Sequence, residues 1–413
     1  MVNKLNTGGL TRRRFTQTVT AVTGATALGL PRAARAQQQA LRVGILLPRS
    51  GFLAQIGQAN QRGADVALPI LKELGYPAIE MMPGDTESSP DIARAAAERL
   101  IDGGAHMIVG AFDSGQSSAI AQVCEQRRIP FVINIAAAPQ ITEQGYKFVF
   151  RNFPRSPRIV SDAFALQKQL FEATGKTPKT CVILHVNDTF GVSIKDAISA
   201  MFPAQNMPYK IADSISYDPR ARDLSVEVAK AKATGAEILW TVSRLNDAIL
   251  LTREMVKQRW EPWGILASGP GYYEAQYIKT LGKLGDHPIS FVPWYDPTKP
   301  LTKRMLAEYK KMFPDSSADT NTVFTLEAML ICADAYKRAN SNKPDALVEA
   351  LKATNIKDNA AVGGGISFDA KGQNESVGDA GIQNIGGEPR VILPKAAAEA
   401  PLVFPMPGWQ GRG

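Results

Sequence analysis

The 413-residue chain is 45% hydrophobic and 21% charged, an ordinary globular composition. This length allows two or three domains, and the composition excludes a collagen, a disordered chain and a disulfide scaffold. The formal charge of +8 is concentrated in residues 1–36, where Lys4, Arg12, Arg13, Arg14, Arg32 and Arg35 stand without an acid; the remaining body is close to neutral, so nucleic-acid binding loses its main support.

The first element is an export signal. Arg12-Arg13-Arg14-Phe15 is followed by an uncharged, weakly apolar stretch from Thr16 to Leu30 and by the small-x-small site Ala34-Arg35-Ala36. The paired arginines ahead of a feebly apolar core resemble a twin-arginine signal, an ordinary secretory signal being the alternative. Cleavage near Ala36 would release a periplasmic protein. No Cys follows the site and no later stretch reaches membrane-spanning length, so a freely diffusing monomer is expected. Cys124, Cys181 and Cys332 are too few for a disulfide framework, and each lies in an apolar context that suits a small buried hydrophobe. One disulfide stays open.

From residue 41, short apolar runs alternate with segments of helical period. Strands are predicted at Leu41–Leu47, Ala78–Met82, His106–Phe112, Pro130–Ile135, Thr180–Val186, Tyr209–Ile215, Ala236–Val242, Gly264–Ala267 and Pro288–Trp294. Between them a helix is predicted over Ala64–Leu74, with Pro69 expected to kink it or delay its start, and another over Pro90–Ile101, opened by Ser89 and stopped by Gly103. The rhythm occurs over 41–150 and again over 175–290, separated by the Pro- and Arg-rich 151–157. This predicts an α/β fold with two Rossmann-like lobes of parallel strands flanked by helices. A long helix over Asn321–Ala339 has no strand beside it in the second lobe and is expected to return to the first. Short strands are expected at Gly365–Phe368 and Gly381–Ile385, in a loop-rich end.

Several motifs then accumulate in order. They are Val43-Gly44-Ile45 through Gly51, Gly84-Asp85-Thr86, Ile108-Val109-Gly110, Ile129-Pro130-Phe131-Val132, Asn187-Asp188-Thr189-Phe190-Gly191, Arg222-Asp223-Leu224 and Gly365-Ile366-Ser367-Phe368-Asp369. Over roughly 41–385 the chain resembles the periplasmic solute-binding proteins of the branched-chain amino acid and amide type. The resemblance implies two lobes joined by three hinge crossovers, closing on a small solute and presenting it to an inner-membrane ABC permease. It places the signal peptide at 1–36, one lobe at 37–152 plus 294–373, the other at 153–293 plus 374–400, and a tail at 401–413.

Ligands of open parallel sheets bind beyond the carboxyl ends of the strands. The loops there supply the candidate binding residues Ser50, Phe52, Phe112, Ser114, Gly115, Gln116, Ala136, Ala137, Phe190, Arg244, Gly271, Tyr272 and Trp294. The helix start after Ser114-Gly115-Gln116-Ser117 offers N–H groups to an anion, the alternative being that Ser114 and Ser117 only cap it. Members of this family that bind α-amino acids hold the carboxylate with hydroxyls and the ammonium with an acid. Here Ile135-Ala136-Ala137-Ala138 has no hydroxyl and Ser268-Gly269-Pro270-Gly271-Tyr272-Tyr273 has no acid. An unpaired buried ammonium would cost several kcal/mol. Aromatic faces with Arg244 or Arg49 instead favour an aromatic or apolar carboxylate, with branched-chain amino acids, amides or urea as the alternative.

An enzyme finds little support. His106, His185 and His287 form no metal-binding pair, although His185 and Asp188 are close in sequence, and neither a nucleophile elbow nor a dinucleotide fingerprint is present. No catalytic residue, metal ligand or cofactor is assigned. Presentation of a ligand to a membrane sensor is the alternative class.

Overall fold

The alternation of apolar runs and helical segments is realised over residues 40–412, which the computed structural model describes; the export signal and its cleavage site lie outside them. In chain order the first elements are β1 (Leu41–Leu47), α1 (Ala54–Glu73), β2 (Ile79–Asp85), α2 (Pro90–Asp102), β3 (Met107–Gly110), α3 (Ser114–Arg127), β4 (Phe131–Ile133) and β5 (Val149–Arg151). Their strands form a parallel five-stranded sheet in the order β2-β1-β3-β4-β5.

Next come α4 (Ser156–Thr174), β6 (Thr180–Val186), α5 (Thr189–Met201), β7 (Lys210–Tyr217), α6 (Ser225–Ala233), β8 (Ile238–Val242), α7 (Leu245–Lys257), β9 (Gly264–Ala267), α8 (Ala275–Leu281) and β10 (Ile289–Pro293). After α9 (Pro300–Met312), α10 (Thr320–Ala339) and α11 (Pro344–Lys352) come β11 (Asp379–Ile385) and β12 (Glu388–Leu393). The second sheet runs β12-β11-β10-β9-β8-β6-β7, parallel except for the last two strands of the chain. Its central strands, such as β8 (Ile238-Leu239-Trp240-Thr241-Val242), are buried throughout, as a sheet covered on both faces requires.

Helix α10 packs on α1 and against β1, β3 and β4, so it does return to the first lobe. The contact is close: a Cβ at Gly63 would lie 2.6 Å from the Thr322 carbonyl oxygen, so glycine lets the two backbones approach. That packing explains one correction. Helix α1 starts ten residues before the expected position and runs through Pro69, because burial of Ile56, Ala59 and Ala64 outweighs the hydrogen bond the proline removes.

Other differences have local causes. The strand expected at Gly365–Phe368 is only a bridge between Ile356 and Ile366. Two strands read as loop are β5, three residues long, and β12, an edge strand that carries Pro389. The segment after residue 400 is docked, not loose. Val403 exchanges hydrogen bonds with the Gln383 side chain, and Trp409 Nε1 donates to the Trp260 carbonyl at 2.8 Å.

Candidate functional site in the cleft between the sheets

Three helices start immediately after strands whose carboxyl ends face the cleft: α3 after β3, α5 after β6 and α7 after β8. Their N-cap residues are Asp113, Asp188 and Arg244. Asp113 Oδ1 accepts from the Gln116 N–H at 3.1 Å and Asp188 Oδ1 from the Gly191 N–H at 2.9 Å. Each carboxylate therefore satisfies a helix start with one oxygen and keeps the other free.

Arg244 takes both free oxygens. Its Nη2 donates to Asp113 Oδ2 at 2.7 Å and its Nη1 to Asp188 Oδ2, while its guanidinium lies 5.1 Å from the centre of the Phe190 ring. The residue is 5% exposed. Burial opposes the charge, but Asp188 and then Asp113 raise the guanidinium's proton affinity above the ordinary value, so Arg244 stays charged. Burial pushes the Asp113 carboxyl up, with Arg244 partly offsetting it. Asp247, which accepts the Arg244 N–H and the Tyr217 hydroxyl, is pushed up to about 6 by burial.

Beside this cluster a cavity lies between the two sheets. Its aromatic walls are Phe112, Phe153, Phe190 and Tyr273; Ile135, Ile159 and Val292 complete an apolar surface, and Arg244, Thr320 and Asn321 bring polar atoms. Phe112 has a left-handed backbone (φ 77°) and its N–H donates to Asn134 Oδ1 at 3.2 Å. Such a conformation costs about 1–3 kcal/mol and persists where the surroundings hold it. Ala136 and Ala137 also line the cavity, and their N–H groups have no acceptor among the described residues. Arg151, fully buried, donates from Nη1 to the carbonyls of Ala136 (2.9 Å) and Ala138 (2.8 Å), fixing this loop from behind.

Of the candidates read from the sequence, Phe112, Ala136, Ala137, Phe190 and Arg244 meet at the cavity. The others are placed elsewhere. The Ser50 N–H donates to Asp85, and Arg49 to Gly84 and Gln61, within the first lobe. Phe52 is 39% exposed at the rim, where its carbonyl accepts from Asn246 Nδ2 of the opposite lobe at 3.2 Å. Ser114 Oγ accepts from the Ala138 N–H, and the helix start at Gly115 and Gln116 is capped by Asp113, so neither reading of Ser114 and Ser117 holds: no anion-gripping start is left and neither serine is the cap.

Gly271 packs against α7, where a Cβ would meet the Arg244 carbonyl at 2.5 Å. Tyr272 is buried against Tyr277, and its neighbour Tyr273 is the ring at the cavity, with Trp294 edge-on behind it at 5.1 Å. His185 and Asp188 do not pair: His185 Nδ1 faces the Val186 carbonyl.

Sequence reasoning missed an acid one residue beyond the loop it searched. Glu274 is 4% exposed, and Asn321 Nδ2 donates to its Oε1 at 3.0 Å and to Asp319 Oδ2 at 3.2 Å. Burial, then repulsion from Asp319, raises the Glu274 carboxyl well above the ordinary range. Phe153, in the first crossover, was also missed, because it followed a short strand that the sequence did not reveal.

Comparison with known proteins agrees with this architecture. The sequence profile of the family described as periplasmic binding protein matches residues 40–381. A Leu/Ile/Val-binding protein homolog 8 of Brucella melitensis is 25% identical over 379 residues, covering 88% of this chain and 93% of that protein. Among solved structures, a leucine-binding protein from Thermotoga maritima superposes with a TM-score of 0.73 at 21% identity, covering 85% of this chain and 97% of that one. A solute-binding protein of an R. palustris ABC transporter, in complex with benzoate, gives 0.72 at 17% identity, covering 88% and 98%. Among the described residues no helix is long and apolar enough to cross a membrane.

Proposed function

The chain belongs to the periplasmic binding protein family, and from that premise we propose that it is the solute-binding component of an ABC-type importer that captures a small aromatic or apolar carboxylate between its lobes. The observation that carries the ligand class is the cavity wall: four aromatic rings and three branched aliphatic side chains line it, surfaces suited to a flat apolar body. The acceptor-free N–H groups of Ala136 and Ala137 are the donors for its carboxylate, in place of Arg244, whose charge is already paired with Asp113 and Asp188. The benzoate complex of the R. palustris protein supports this reading by analogy of fold.

A second reading rests on Glu274. Asn321 lines the cavity and Glu274, though outside the lining, is hydrogen-bonded to it; an ammonium reaching this acid would ionise it and gain the counter-charge that the quoted loop lacked, which favours an α-amino acid. Export by residues 1–36 to the periplasm, delivery to an inner-membrane permease and the lobe boundaries at 152, 293 and 373 belong to the same proposal.

The deciding experiment is calorimetric titration and thermal shift of residues 37–413 with benzoate, leucine and urea. A ligand at a hundred times its dissociation constant adds about 2.7 kcal/mol of stability. Stabilisation by benzoate and not leucine supports the first reading; the reverse moves the assignment to Glu274.

A further inference from the structure

Across the cleft, three helix starts from two lobes converge on one guanidinium. Asp113 belongs to the lobe of the five-stranded sheet; Asp188 and Arg244 belong to the other. The Arg244 position is fixed from its own backbone, because its N–H is held by both Asp247 oxygens, at 2.9 and 3.0 Å. Its side chain is held within the second lobe by Asp188 and the Phe190 ring. Among the bonds of the Arg244 side chain only the one to Asp113 crosses between lobes, so hinge opening breaks that bond, with the rim contact of Asn246 to Phe52, and leaves the rest of the Arg244 cluster assembled. The two carboxylates each take one N–H of a terminal nitrogen of Arg244 and balance its charge, and charge-assisted bonds of this kind are the strong ones in a water-poor setting.

We propose that Arg244 and Asp113 form a clasp between the lobes, Arg244 acting as a positioning residue that sets how readily the cleft closes and not which solute it accepts. The inference rests on the reading that solute binding is coupled to closure. A group that stabilises only the closed state raises the affinity of every solute by one common factor, since each binds the same closed population. A residue that touches the solute carboxylate would instead change the ratio between a carboxylate and its neutral analogue.

Asp113→Asn tests this cleanly, because asparagine caps a helix as well as aspartate does and removes only the charge. Benzoate, benzamide and leucine are titrated against both proteins, and small-angle X-ray scattering is recorded without solute. The expected result is a common loss of about tenfold in affinity for each probe that binds, with a larger radius of gyration for the variant. A benzoate-to-benzamide ratio that changes more than about threefold would overturn the proposal, because the freed Arg244 would then be contacting the carboxylate. Unchanged affinities with an unchanged radius would overturn it as well. Where none of the three probes binds the parent protein, the proposed ligand classes fail, and the scattering comparison still decides on the clasp.

Discussion

Asn321 Nδ2 donates to Glu274 Oε1 across 3.0 Å and so joins the start of α10, which packs on the first lobe, to a loop of the second. Asp319 faces the same amide, with Arg62 on α1 the nearby cation and the Tyr309 hydroxyl, which accepts from Arg62, beside it. The buried Glu274 carboxyl is raised well above its ordinary value. In the folded protein it therefore keeps its proton at pH values where the unfolded chain has released one, so stability falls as pH rises from the ordinary carboxylate range towards the raised value. Glu274→Gln keeps an oxygen for Asn321 and abolishes that titration. Its melting temperature is expected to match the parent near pH 4 and to exceed it at pH 8 by an amount equivalent to roughly 1–2 kcal/mol. Thermal unfolding followed across that range checks this, and a variant less stable at pH 8 would contradict it.

Arg151 carries a buried charge with neutral partners. Besides Ala136 and Ala138, it donates to Thr142 Oγ1 at 2.8 Å and Gln373 Oε1 at 2.6 Å, and burial lowers its guanidinium to about 9. Arg151→Met leaves four oxygens without their donor. A loss of about 3–5 kcal/mol by denaturant unfolding is expected, together with weaker solute binding, because the Ala136–Ala138 loop loses its support.

Residues 401–412, which the sequence offers as a plain tail, hold the second lobe through Trp409. Its ring is 7% exposed, its N–H donates to Glu261 and its guanidinium neighbour Arg412 reaches the carbonyls of Leu284 and Asp286. Trp409→Ala is expected to cost about 3 kcal/mol, read as a lower urea midpoint at unchanged slope.

The two parallel-stranded lobes were legible because β1, β6 and β9 are short apolar runs with sharp limits that alternate with helical segments. The cleft loops were legible for the same reason. Which side chain of a loop faces the cleft was not, as Tyr272 and Tyr273 illustrate: neighbouring tyrosines, one packed on Tyr277 and the other at the cavity. Asp113 escaped notice because serines follow it, although an acid at the start of a helix is a capping signal in its own right. The pairing of Arg244 across the lobes depends on hinge geometry that no local pattern encodes. The cysteines are resolved by burial: Cys124, Cys181 and Cys332 are each free and buried, and burial pushes their thiols up.

Those thiols give a direct check. Native protein is expected to leave all three unreacted with a maleimide over minutes at pH 7, and urea-unfolded protein to react at all three without prior reduction. Mass spectrometry of the two samples counts the adducts; a disulfide would leave one thiol in the unfolded sample.

Ala137 offers the sharpest test of the cavity itself. It is 2% exposed, it lines the apolar space, and its carbonyl is anchored by the Ser156 N–H and hydroxyl, so its backbone position does not depend on its side chain. Leucine there adds apolar atoms where the wall already supplies partners for them. Filling such a space stabilises a protein or leaves it unchanged, whereas overpacking a tight core costs about 1–3 kcal/mol. If the cavity holds the solute, Ala137→Leu keeps or raises the melting temperature and lowers affinity by more than about a hundredfold, a factor worth about 2.7 kcal/mol. A gain in stability with unchanged affinity would show the space to be a packing void, and the binding site would then have to lie elsewhere in the cleft.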